Sequence, residues 1–340
     1  MHNSKIVDTL IGHEALKARI PLWEKATQTV VSATNRANSI IQEPSSSKQL
    51  LIVWPCSADF EDSLLQYWEF IAKMREKYKQ SGLEIIMRYY TGKPRTIWWW
   101  KWLANSNPGE EADTNKGIEE SRRIAVKLLG MGVPLADEML HPELIRHFDD
   151  IYSYLAVGAR STENQYHREV ASGLDMPVWM KNPTSGDLSV MLNSIQAWQS
   201  PSHYTIGDSV IDSIGNSGVH GILRWGTNPN YDIESLKQLE GLIEKRGDKI
   251  KNPGIIIDAS HDNSKWTDGK KDPMKQGEVV TQVIKDKATN LVRGYMIESY
   301  LQTGRQEYSD SAIHGLSLTD GCIWIEETER IIQTVVDSIS

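Results

Sequence analysis

This chain is poor in sulfur, in long apolar stretches and in positive charge. Its 340 residues hold two cysteines, Cys56 and Cys322. That is too few for a disulfide framework and fits reduced thiols in the cytoplasm. No apolar run approaches the ~20 residues needed to cross a bilayer. The start, Met1 to Leu10, is polar and lacks the apolar core of a secretory signal. A cytoplasmic chain with no membrane partner is therefore expected. The net charge of −8 excludes nucleic acid as a general partner. An anionic small substrate stays open, because a local cationic pocket can coexist with an acidic surface. Phenylalanine is scarce, with three residues against twelve tryptophans.

Eight short apolar runs alternate with amphipathic stretches, the pattern of βα units. They are Leu51 to Trp54, Glu84 to Met87, Val133 to Ala136, Tyr152 to Val157, Pro177 to Met180, Val219 to Leu223, Gly254 to Ile257 and Val292 to Ile297. Near-continuous apolar character marks parallel strands buried on both faces. Leu64, Trp68, Ile71 and Tyr78 keep helical spacing after the first run, and Leu236, Leu239 and Ile243 after the sixth. The expected fold is an α/β (β/α)₈ TIM barrel over residues 48–340. Residues 1–47 form an N-terminal extension, helical around Leu22 to Gln42 and ended by Pro44 and a serine run. The extension is expected to make subunit contacts in a homodimer or homotetramer, a cap on the barrel floor being the alternative. Asn107 to Glu111 reads as a solvated loop.

Each run is closed or followed by a charged or metal-ligand residue: Cys56, Arg88 with Lys93, Glu138, Arg160, Lys181, Arg224, His261 and Glu298. A barrel opens all its strand C-termini onto one face, where active sites lie. Cys56, His261, Glu298 and Asp320 are of types that together bind a borderline divalent metal such as Mn, Fe, Co or Zn. Taken singly, Cys56 is a small buried residue, His261 a cap residue and Glu298 a partner for an arginine. Lys93-Pro94-Arg95-Thr96 is a compact donor group held by a proline. Gly158-Ala159-Arg160-Ser161 offers an arginine and backbone N–H groups at a helix start, suited to phosphate. Lys181 and Arg224 add charge, although any one of these cations could instead pair with a surface acid.

Several segments together resemble a family. Trp54-Pro55-Cys56-Ser57, Lys93-Pro94-Arg95-Thr96, Gly158 to Glu163, Ala171-Ser172-Gly173-Leu174, Lys181-Asn182, Ile222-Leu223-Arg224, Asp258-Ala259-Ser260-His261 and Glu298-Ser299 occur in the order of the class I 3-deoxy-D-arabino-heptulosonate 7-phosphate (DAHP) synthases, of the microbial, often feedback-regulated type. The resemblance runs from about residue 5 to 335. It implies metal-dependent condensation of phosphoenolpyruvate with erythrose 4-phosphate, the entry to the shikimate pathway. By motif position it implies Cys56, His261, Glu298 and Asp320 as metal ligands. It implies Arg88, Ala159, Arg160, Lys181 and Arg224 around phosphoenolpyruvate, and Lys93 between the substrates. Arg95 and Thr96 would hold the aldehyde's phosphate, and Glu138 would be an acid near the reacting carbons. Lys93, Glu138, Lys181 and His261 are thus the catalytic candidates.

The chain departs from the family pattern at glycines. Trp54 stands in Gly-Pro-Cys-Ser, Trp179 in Pro-Val-Gly-Phe-Lys, and Trp99 and Trp102 after Lys93-Pro94-Arg95-Thr96. These rings are expected near the aldehyde pocket or one layer behind it. Asp175 occupies a position where regulated relatives carry a small residue, and the segment from Ser200 to Gly215 is shortened. A charged pocket suits an apolar effector poorly. Two rival readings follow: a paralogue taking a different aldose phosphate, and a catalytically silent barrel serving as a partner protein.

Overall fold

The computed structural model describes residues 3–43, 47–56, 60–89, 91–92, 113–183, 185–224, 229–266, 269–286, 290–309 and 311–339. The chain enters through two helices, α1 (His13–Arg19) and α2 (Glu24–Gln42), and then alternates strand and helix. The strands β1 (Gln49–Trp54), β2 (Leu83–Arg88), β3 (Leu135–Glu138), β4 (Tyr152–Val157) and β5 (Val178–Lys181) come first. A hairpin, β6 (Ser202–Ile206) and β7 (Ser209–Ser213), intervenes before β8 (His220–Leu223), β9 (Ile255–Asp258) and β10 (Val292–Glu298). Without the hairpin, the strands close an eight-stranded parallel barrel in the order β1-β10-β9-β8-β5-β4-β3-β2. Every residue of β2, β4, β5, β8 and β9 is buried, as expected for strands covered on one side by the barrel core and on the other by helices. No helix among the described residues is long and apolar enough to cross a membrane.

The outer helices are α3 (Glu61–Lys77), α4 (Thr114–Gly130), α5 (Gln165–Ser172), α6 (Leu188–Trp198), α7 (Ile233–Glu244), α8 (Lys275–Asp286) and α9 (Ile325–Ile339). Four of them start on an acceptor side chain. Asp113, Asn164, Asp187 and Asp232 accept backbone N–H groups at the starts of α4, α5, α6 and α7. Such caps fix where a loop becomes a helix, and so fix the length of the loops at the barrel mouth.

The N-terminal extension buries itself against the barrel's own floor. Ala26, Val30, Ala33, Ala37 and Ile40 recur every three or four residues along α2, and all are buried. Small residues on that stripe allow the helix to approach β1, β2 and β4 closely, and α4 flanks it. Val30 O accepts the Ser153 hydroxyl at 3.2 Å, and Arg36 pairs with the buried Glu84. Lys17 and Arg19 tie α1 to Asp149 and Glu119. The strand N-termini leave an apolar floor for this helix to cover, the arrangement given above as the alternative to subunit contact.

Candidate active site

At the opposite, C-terminal end of the barrel, strand alternation decides what faces inward. Ala136 and Glu138 share one side of β3, and Trp179 and Lys181 share one side of β5. Arg88 closes β2, and its Nη2 donates to Glu138 Oε2 at 2.5 Å; both side chains are buried. Glu138 is held close to the next strand's turn. A Cβ on Gly158 would lie 2.4 Å from Glu138 Oε1, so any larger residue there would push the carboxylate aside. Its neighbour Asp137 points the other way and accepts Thr91 Oγ1 at 2.5 Å and Tyr152 O–H at 3.0 Å. Burial pushes the Asp137 carboxyl up to about 6, against the donors and the charge of Arg88.

Lys181 is 4 % exposed and lies 3.6 Å from Asp258 Oδ2 and 3.4 Å from His261 Nε2. Burial pushes its ammonium down to about 8; Asp258 pulls the other way, while Arg224 and Arg88 add to the lowering. Asp258 is fully buried at the end of β9. Its Oδ1 accepts the backbone N–H and hydroxyl of Ser260, and its Oδ2 lies 2.8 Å from His261 Nδ1. Burial opposes its charge, yet His261 and Lys181 hold its carboxyl below the usual range. Burial also drives the His261 imidazole down to about 3, so the ring is neutral near pH 7. His261 adopts φ 50°, a left-handed conformation uncommon for a residue with a Cβ. Arg224 is half-buried after β8, its backbone N–H donates to Asn182 Oδ1 at 2.9 Å, and its buried Nε has no hydrogen-bond partner among the described residues.

The four metal-ligand candidates come from adjacent parts of the barrel. Trp54 pairs with Glu298 across β1 and β10, which places Cys56 beside them. Glu298 Oε1 stands 3.7 Å from His261 Nε2. Two ligands each ~2.1 Å from one ion stand roughly 3–4 Å apart, so this pair can share a metal. Asp258 at Nδ1 leaves Nε2 as the ligating nitrogen, a usual arrangement for a metal histidine. Cys56 is buried, its Sγ 3.0 Å from Cys322 Sγ, and its carbonyl accepts Thr319 Oγ1 at 2.8 Å. Asp320 lies on the same turn, its carbonyl 3.8 Å from Cys322 Sγ. Among the described residues, no three such side chains close on a single point. The donor set, a thiol, a neutral imidazole and carboxylates, fits a borderline divalent metal.

The other candidates are distributed unevenly. Ala159 is buried and Arg160 exposed on the turn that follows β4. Lys93, Arg95, Thr96, Trp99 and Trp102 lie outside the described residues, as does the 107–111 loop. The two remaining tryptophans sit beneath the cations. The Arg88 guanidinium lies 5.3 Å from the Trp54 ring and 5.4 Å from that of Trp179, and Lys181 Nζ lies 5.9 and 5.4 Å from the same rings. Sequence reading missed Asp258 as a site residue. The signal was there: an acid three residues before His261, at the very end of a strand.

A barrel whose mouth joins buried cations to a mixed thiol, imidazole and carboxylate set matches, over residues 29–333, the DAHP synthetase I family. The chain belongs to that family. It is 36% identical over 339 residues to the phospho-2-dehydro-3-deoxyheptonate aldolase AMT16 of Alternaria alternata, covering 96% of this chain and 88% of the relative. It is 34% identical over 349 residues to the Tyr-sensitive phospho-2-dehydro-3-deoxyheptonate aldolase of Escherichia coli, covering 98% and 95%. The solved phospho-2-dehydro-3-deoxyheptonate aldolase of Francisella tularensis superposes with a TM-score of 0.92 at 30% identity, over 99% of this chain and 98% of that one. This DAHP synthase family member is accordingly an enzyme of the transferase type.

Proposed function

We propose that this DAHP synthase family member condenses phosphoenolpyruvate with erythrose 4-phosphate, releasing DAHP and phosphate at the first step of the shikimate pathway. The observation that carries the reading is the convergence of Arg88, Lys181 and Arg224 at the mouth, with Arg224 Nε buried and lacking an acceptor among the described residues. A buried N–H of a guanidinium without an acceptor is costly unless an anion completes it. The carboxylate and phosphate of phosphoenolpyruvate supply acceptors of that kind, with Arg160 at the rim.

In the reaction, C3 of phosphoenolpyruvate bonds to the aldehyde carbon. Water adds at C2, and phosphate departs with cleavage of its C–O bond. The cations hold the enol where C3 can reach the carbonyl, which lowers the entropic part of the barrier. Glu138, fixed by Arg88, is an acid and base within reach of the reacting carbons. Lys93 would stand between the two substrates, and Arg95 and Thr96 would hold the aldehyde's phosphate. Cys56, His261, Glu298 and Asp320 would hold a divalent metal, Mn, Fe, Co or Zn. Such an ion, when bound, polarises a carbonyl oxygen. His261 being neutral and fixed by Asp258 favours ligation over proton storage.

The two buried thiols fit a reducing, cytoplasmic setting. Ile6 and Val7, at 87 % and 83 % exposed on the extension, support its use as a subunit contact in a homodimer or homotetramer; light scattering of the full chain and of a chain starting at residue 12 tests this. The function itself is tested by following phosphate release from phosphoenolpyruvate with Mn²⁺ across a panel of aldose phosphates. Erythrose 4-phosphate is expected to give the highest kcat/KM. A higher value for another aldose phosphate would favour a paralogue of a specialised pathway. Absence of turnover with every aldehyde would favour a silent partner protein.

A further inference from the structure

Two indole rings lie in contact with the two most deeply buried cations of the site. Arg88 and Lys181 are 1 % and 4 % exposed, and each lies within 6 Å of both Trp54 and Trp179. Both rings are themselves buried. Such contacts are strongest where water is excluded. Tyr154 stacks on Trp179, with centroids 6.1 Å apart and planes 24° apart, and its hydroxyl is tied to His220. That buttress fixes Trp179 from the barrel interior. Trp54 is fixed through its backbone, whose carbonyl accepts Ser299 N–H at 2.9 Å, and its ring lies 5.9 Å from that of His261.

The chemistry distinguishes these rings from the site's carboxylates. Glu138 and Asp258 also stabilise the cations, but each cancels charge, and Glu138 occupies an N–H group of Arg88. A ring face attracts the cation through its quadrupole, accepts little hydrogen bonding and carries no net charge. A ring therefore holds a cation without taking up its N–H groups.

We propose that Trp54 and Trp179 are positioning residues for the phosphorylated enol carboxylate: their ring faces hold Arg88 and Lys181 in the arrangement that grips it. This inference rests on the functional reading above and assigns the two tryptophans to that substrate, not to the aldehyde.

The test is equilibrium binding of phosphoenolpyruvate, by calorimetry, to the full-length protein and to Trp179→Phe and Trp179→Leu, with Trp54→Phe and Trp54→Leu as a parallel pair. Phe keeps a ring face and Leu keeps apolar bulk alone. The Leu variants are expected to bind phosphoenolpyruvate roughly three- to thirtyfold more weakly, the range of one desolvated cation–π contact. The Phe variants should stay within about threefold of wild type on the same scale. In turnover, KM for phosphoenolpyruvate should rise more than kcat falls, with KM for the aldehyde unchanged. Far-UV circular dichroism selects the folded variants, and the Trp54 pair decides where a Trp179 variant fails to fold. Equal binding by Leu and Phe variants would overturn the inference, as would a shift confined to the aldehyde. If wild type itself fails to bind phosphoenolpyruvate, the functional reading falls and takes this inference with it.

Discussion

Gly158→Ala is a one-carbon change whose reach can be worked out. The new Cβ would stand 2.4 Å from Glu138 Oε1, whereas ordinary contact begins at 3.4 Å. Glu138 has to retreat by about 1 Å, the difference between these two distances. Its bond to Arg88 runs through the other oxygen, Oε2, which would stand 3.8 Å from the new Cβ. Turning the carboxylate to clear Oε1 swings Oε2 out of line with Arg88 Nη2, and a hydrogen bond weakens as it bends. A hydrogen bond to a charged group is worth about 1.5–3 kcal/mol. If Arg88 grips phosphoenolpyruvate only while Glu138 aligns it, binding weakens by about ten- to 150-fold. The assay is steady-state phosphate release over a range of phosphoenolpyruvate concentrations, with a melting curve beside it. Gly132→Ala is the control. Gly132 has φ +88°, and a methyl added there would meet nothing within 4 Å. Alanine at that position costs about 1–2 kcal/mol in backbone strain and should lower the melting point with no change in KM. A Gly158→Ala enzyme with wild-type kcat/KM for phosphoenolpyruvate would refute the chain of reasoning from glycine to Glu138 to Arg88.

Three further outcomes are expected. Cys56→Ala should lose transition-metal affinity while keeping the fold, measured by metal titration after EDTA treatment and by circular dichroism; wild-type affinity would remove Cys56 from the ligand set. Asp137, whose carboxyl is raised by burial to about 6, takes up a proton more readily folded than unfolded. Its stabilising contribution is therefore full below about pH 4 and lost as pH rises through 6, a total on the order of 3 kcal/mol. Denaturant titrations of wild type and Asp137→Asn from pH 4 to 7 should show a difference that changes over that window, and a constant difference would contradict the assignment. Phe, Tyr and Trp at millimolar concentration should inhibit weakly or not at all, because Asp175 is exposed and charged where an apolar effector would need cover; strong inhibition would show a rebuilt pocket.

The barrel was legible because each of its strands is an apolar run, and apolar runs buried on two faces leave a plain mark. The hairpin at Ser202 to Ser213 left a fainter one. Its residues alternate between buried and exposed with few apolar side chains, and its sign was the Gly207-Asp208 turn, with Gly207 at φ +55°. Residue types at strand ends pointed to the cations and metal ligands one by one. Their mutual geometry was not readable, since Lys181 and Asp258 meet across 77 positions of chain. The tryptophans are instructive. Trp179 was expected on the aldehyde side or behind it, yet it shares the inward face of β5 with Lys181, and period-two alternation alone ties those two residues together.

Closure of the barrel between its first and last strands sets an order on the birth of the chain. About 240 residues separate Trp54 from Val292, whose strands must meet. At a synthesis rate of ~5–20 residues per second, β1 waits roughly 12–50 s for β10 to emerge. Throughout that interval Leu50 to Trp54 present one open edge, a template for a neighbouring nascent chain. The floor helix α2 is made before any strand, yet its landing sites on β2 and β4 appear only later. The half-built sheet therefore needs shielding until β10 emerges, and chains truncated before residue 292 should aggregate more than the complete chain, as sedimentation of the two would show.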